Sequence, residues 1–131
     1  MISLTPMPVT SEFQDGTFVV TVLGDFASGE LREAIVAGYS DPRFTRETPV
    51  LLDTRRSLAI PSSADVMHSS QVILGRRPAG HIGRFAIITR NDPLRFGLAR
   101  MASLTMENMG ATMAVFHEAG AALNFLRSTT S

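Results

Sequence analysis

Two adjacent serines, Ser62 and Ser63, follow Ile60-Pro61 and precede Ala64-Asp65, where a helix is expected to begin. A serine at that place suits phosphate chemistry, because the free N–H groups and positive dipole end of a helix stabilise added negative charge. Serine is also a preferred N-cap, so either residue serves equally as an ordinary helix start. Arg100, in Gly97-Leu98-Ala99-Arg100, offers a guanidinium to a carboxylate head group. Glu107 lies two turns further along the same side, too far for direct pairing, so a solvated arginine is the plainer role. Four methionines, Met101, Met106, Met109 and Met113, gather in one segment. Their soft side chains fit varied apolar surfaces. Leu98, Met101, Thr105 and Met109 share one helical face, which Leu94 extends. Such a stripe either packs as core or lines an apolar ligand cleft or a dimer contact. The candidate binding residues are therefore Ser62, Ser63, Leu98, Arg100, Met101 and Met109.

Other chemistries lack their residues. There is no cysteine, which removes disulfides, thiolate catalysis and zinc–cysteine sites. All 12 basic residues are arginine, so Walker-type, Schiff-base and Ser–Lys chemistry have no lysine to use. His68, His81 and His117 do not stand at helical ligand spacing, and no metal or cofactor is expected. Asp53 ends an apolar strand at the carboxyl edge, where α/β ligands usually sit. With no partner nucleophile in view, it reads as a hydrogen-bonded acid. No catalytic constellation is visible. The formal net charge is +0 and no basic block gathers, so nothing steers the chain to nucleic acid or to an anionic membrane. Met1 to Thr10 lacks the pattern of a signal peptide, and no apolar run approaches a membrane span. Together with the missing cysteines, this suggests a cytoplasmic setting.

The elements that must hold these residues follow from pattern. Hydrophobic residues make up 44% of 131, enough for one domain spanning 1–131 with a real core. Val9 to Phe13 and Thr17 to Leu23 flank Asp15-Gly16 and form a hairpin. A helix runs from Ser28 to the stop at Asp41-Pro42. Val50 to Asp53 is a short apolar strand covered on both faces, and Thr54 to Pro61 is a loop. Ser62 or Ser63 opens a helix that reaches about Arg77. Arg84 to Thr89 is the next strand. Asp92 caps a helix with Pro93 at its first position, ending near Met109 with Gly110 as the left-handed residue. Met113 to Phe116 is the last strand and Ala119 to Leu126 the last helix. Met1 to Pro8 and Arg127 to Ser131 are expected as loose ends. The order ββαβαβαβα makes an α/β fold with a mixed, mostly parallel sheet.

Phe96-Gly97-Leu98-Ala99-Arg100-Met101, then Val115-Phe116-His117-Glu118, then Ala122-Leu123-Asn124-Phe125-Leu126 resemble the C-terminal half of SpoIIAA-like proteins, of the STAS-like superfamily. Phe125 stands where that family usually has tryptophan. Ile60-Pro61-Ser62-Ser63-Ala64 is similar to the family's Ile-Asp-Ser-Ser-Gly switch, with Pro61 replacing the acid and Ala64 the glycine. The resemblance covers most of the chain from Thr17 onward. It implies a mixed five-stranded sheet with helices and a non-enzymatic binding or regulatory module that acts through protein contacts, with a homodimer as one form. A second reading, from the methionine-rich and terminal helices, is a carrier or sensor of a small apolar or lipid-like ligand held near the C-terminal helices.

Overall fold

The computed structural model describes residues 8–128. Asp15 and Gly16 both take positive φ, 50° and 82°, as a two-residue turn matched to strand twist requires. They join β1 (Val9–Gln14) to β2 (Thr17–Gly24) antiparallel, with Gln14 opposite Thr17 and Val9 opposite Val22. There follow α1 (Ser28–Tyr39), β3 (Val50–Ser57), α2 (Ser63–Gly75), β4 (Phe85–Ile88), α3 (Pro93–Asn108), β5 (Met113–Phe116) and α4 (Ala119–Arg127). The five strands lie side by side in chain order, and every pair after the hairpin is parallel.

Strands laid down in one direction by crossovers of one hand put every crossover helix on the same side. The core shows this. Phe18, Val20 and Val22 of β2 face one way and pack with Leu31 and Ile35 of α1, Ile73 of α2 and Met106 of α3. The alternate residues, Val19, Leu51, Ala86 and Ile88, face the other way and are covered by Ala122 and Leu126 of α4. Period-two alternation thus feeds two cores of unequal size. The close fit of α1 is visible at Gly38, where an added Cβ would meet the Phe18 ring at 2.2 Å.

Two expectations are corrected. The strand expected to end at Asp53 runs on to Ser57. Beyond an irregularity at Thr21/Leu23, Leu23 and Gly24 pair with Arg56 and Ser57. Backbone pairing continues there although Arg55 and Arg56 are exposed, so hydropathy falls before the strand ends. The buried side of α3 is Ala99, Ala102, Ser103 and Met106, not the stripe of Leu98, Met101, Thr105 and Met109. Small residues let α3 lie close beside α2, which itself buries Ser69 and Ser70. Of the expected stripe, Leu98, Met101 and Thr105 are part-buried, and Met109 is exposed, as is Leu94. Of the expected loose ends, residues 1–7 and 129–131 lie outside the described residues.

Candidate functional site

The connection from β3 to α2 is held by two arginines, Arg90 after β4 and Arg95 at the start of α3. Asp92 caps α3, accepting from the backbone amides of Leu94 and Arg95, with Pro93 in the first turn. This start aims Arg95 at the end of β3. Its Nη1 donates to Ser57 Oγ at 3.0 Å and to the Ala59 carbonyl at 3.4 Å, and its Nη2 to the Leu58 carbonyl at 3.3 Å. Arg90 Nη2 donates to the Ser57 carbonyl at 2.7 Å. From the β2 side, the Gly24 carbonyl accepts from the amides of Leu58 and Ala59 at 2.7 and 3.2 Å. Ser57 is buried.

The pinned segment displays apolar side chains. Leu58 is 64% exposed, Ile60 52% and Met67, one turn into α2, 45%. Isolated exposed apolar residues are ordinary. Here they flank one helix start. Ser62 has extended dihedrals, φ −69° and ψ 159°, and its Oγ accepts from the Asp65 amide at 3.1 Å, which makes it the N-cap. Ser63, the first residue of α2, is exposed.

Beneath this segment lies a half-open cleft of about 120 Å³. Its floor is the carboxyl half of the sheet, with Leu52, Thr54 and Thr89. Its walls are Phe26 and Leu31, then Ala59 to Pro61, then Val66 and Ile73 of α2, and Leu98, Ala99 and Ala102 of α3.

The candidate residues therefore divide. Ser62 and Ser63 stand beside the displayed apolar side chains, and Leu98 lines the cleft. Arg100 is exposed on the outer side of α3, while Glu107 accepts from Ser103 Oγ at 3.2 Å. Met101 is half-buried and lies off the cleft; its carbonyl accepts from Thr105 Oγ1. Met109 is the C-cap of α3 and is 42% exposed. Of the two C-terminal helices, α3 lines the cleft, whereas α4 packs on the opposite face of the sheet.

Asp53 is paired with Arg55 of its own strand by bonds of 3.0 and 2.8 Å. Burial pushes its carboxyl up, but the Arg55 side-chain and backbone bonds outweigh that and leave it below the usual range. It stays ionised and engaged. His117 donates from Nδ1 to the Thr89 carbonyl at 3.0 Å, and its ring lies tilted against that of Phe96 with centroids 5.3 Å apart. His81 lies buried between Phe44 and Phe85 and donates from Nε2 to the Thr48 carbonyl at 2.8 Å. Among the described residues no three His, Asp or Glu side chains group as metal ligands. No described helix is long and apolar enough to cross a membrane. Sequence reasoning missed Arg95, Thr89 and the Leu58–Ile60 display. The apolar run Leu58-Ala59-Ile60-Pro61 inside an otherwise polar connection was the available signal.

A sheet with one antiparallel pair, three parallel neighbours and four helices in this order is the SpoIIAA-like fold. No family model matches the chain, and no curated protein does so at a significant level. Among solved structures it is similar to an anti-sigma factor antagonist from Mycobacterium paratuberculosis, at TM-score 0.66 and 17% identity over 92% of this chain and 93% of that one. It is also similar to an uncharacterized protein of the DUF3478 family with a SpoIIAA-like fold from Shewanella loihica PV-4. There the TM-score is 0.56 and identity 14% over 90% of this chain and 91% of that one.

Proposed function

We propose that residues 1–131 form one non-enzymatic regulatory domain that binds a protein partner through the start of α2. The observation that carries this is the arginine-pinned segment displaying Leu58, Ile60 and Met67 beside Ser62 and Ser63. A rigidly held apolar display loses little entropy on docking, which favours a specific contact. The anti-sigma factor antagonist of similar fold supports a regulatory role. The cysteine-free composition supports a reducing, cytoplasmic setting.

The test is crosslinking and pull-down from cell extract with the wild-type chain and the double variant Leu58→Asp, Ile60→Glu. Both side chains are more than half exposed, so the variant should fold. The reading expects a defined partner, different from the chain itself, captured by the wild type and lost from the variant. Self-association alone, or capture unchanged by the substitutions, defeats it.

A further inference from the structure

The cleft beneath the β3–α2 segment has a chemistry of its own. Its polar wall is almost entirely engaged. Thr54 Oγ1 donates to the Ile88 carbonyl, Ser57 Oγ to the Thr54 carbonyl and Ser70 Oγ to the Val66 carbonyl. Ser69 Oγ accepts from Arg32 at 3.0 Å. Arg95, the one cation on the wall, is held by Ser57, Leu58 and Ala59, with Asp92 at 3.7 Å. A carboxylate or phosphate entering the cleft would have to break that set, and an anion without its partner is costly to bury.

Thr89 differs. It is 2% exposed and lines the cleft just past the end of β4. Its amide donates to the Phe116 carbonyl and its own carbonyl accepts from His117. Its hydroxyl has no hydrogen-bond partner among the described residues. Among the described residues the buried polar side-chain atom without a partner is His81 Nδ1, so the Thr89 hydroxyl is not sealed off: it keeps some contact with the cleft space, where a ligand can reach it. Ser28, the other cleft hydroxyl without a partner, is only part-buried. The rest of the lining that a ligand would meet is carbon, from Phe26, Leu31, Leu52, Ile73, Leu98 and Ala102.

We propose that this cleft binds a compact neutral molecule about the size of one aromatic ring, apolar except for a single hydroxyl or carbonyl that bonds the Thr89 hydroxyl. The size follows from the 120 Å³ of space, close to the ~150 Å³ apolar cavity that admits benzene. That volume matches one ring and is too small to enclose a whole acyl chain. The position, at the carboxyl ends of the parallel strands, is where α/β sheets usually bind ligands. The inference does not rest on the protein-binding reading.

Phenol and benzene are the probes, each titrated into the full chain while methyl resonances of Leu52, Ile73 and Leu98 are followed by NMR. Both should bind saturably, phenol about tenfold the tighter, the factor one net hydrogen bond supplies. In Thr89→Val, of nearly the same shape, that advantage should vanish while benzene binding stays. Ala102→Leu should block both by filling the cleft; if it fails to fold, the Thr89→Val comparison decides alone. No saturable shifts with either probe, equal affinities for the two in the wild type, or an advantage retained in Thr89→Val would each overturn the proposal.

Discussion

Replacing Arg95 with methionine keeps the aliphatic stem and removes the guanidinium that ties α3 to the end of β3. The arginine side chain is 12% exposed, so its bonds are largely shielded from water. The bond to Ser57 Oγ, at 3.0 Å, is the best formed. Those to the Ala59 and Leu58 carbonyls, at 3.4 and 3.3 Å, are long, and the one to Leu58 is exposed, where water can replace it. A charged hydrogen bond in a shielded setting contributes about 1.5–3 kcal/mol, and the two long bonds little, so the loss should be about 2 kcal/mol. For a domain of this size that lowers Tm by roughly 6–10 °C. Urea and thermal unfolding followed by circular dichroism measure it. Hydrogen exchange adds a local reading, because the Leu58 and Ala59 amides bond the Gly24 carbonyl and should lose protection before the sheet does. If Arg95→Met unfolds within about 0.5 kcal/mol of wild type, the scale of an ordinary surface substitution, and those amides exchange as before, the arginine does not pin the segment.

The paired serines should separate in their roles. Ser62→Ala removes the acceptor for the Asp65 amide and should cost about 1 kcal/mol, whereas Ser63→Ala should be close to neutral in the same denaturation assay. Stability should also fall as pH drops below 6.5, the ordinary value for histidine. Burial holds His81 below that value, against the raising effect of the Thr48 bond and with help from the Arg77 charge. Its Nδ1 is buried without a partner, so the folded protein resists the proton that the unfolded chain accepts. Proton uptake on unfolding then makes stability climb with pH until 6.5 and level off above it. Urea midpoints between pH 5 and pH 8 should show this slope, shallower in His81→Phe; an unchanged slope in that variant would assign it elsewhere. Asp41, held at about 2 mainly by its side-chain bond to Arg43, acts only in a more acid range.

Much of the architecture was already written in local chemistry. Asp15-Gly16 could only be a tight turn between two β-branched runs, and Asp92-Pro93 could only open a helix, because those residue pairs suit so few backbone states. The order of elements then implied crossovers and a parallel sheet. A serine cap at Ser62 or Ser63 was legible for the same local reason, and the structure chose Ser62. What the chain could not disclose on its own was orientation. Two adjacent faces of α3 are apolar, and periodicity cannot say which one meets α2; the tight approach of Ala99, Ala102 and Ser103 decided it, leaving Met101 and Met109 off the cleft. The end of β3 was hidden because Arg55 and Arg56 look like loop residues, and only pairing with Leu23 and Gly24 keeps them in the sheet. Arg95 and Thr89 gained meaning only when residues more than thirty positions away were brought against them. Contacts so distant in sequence depend on how the sheet is assembled, and single-chain periodicity carries no record of that.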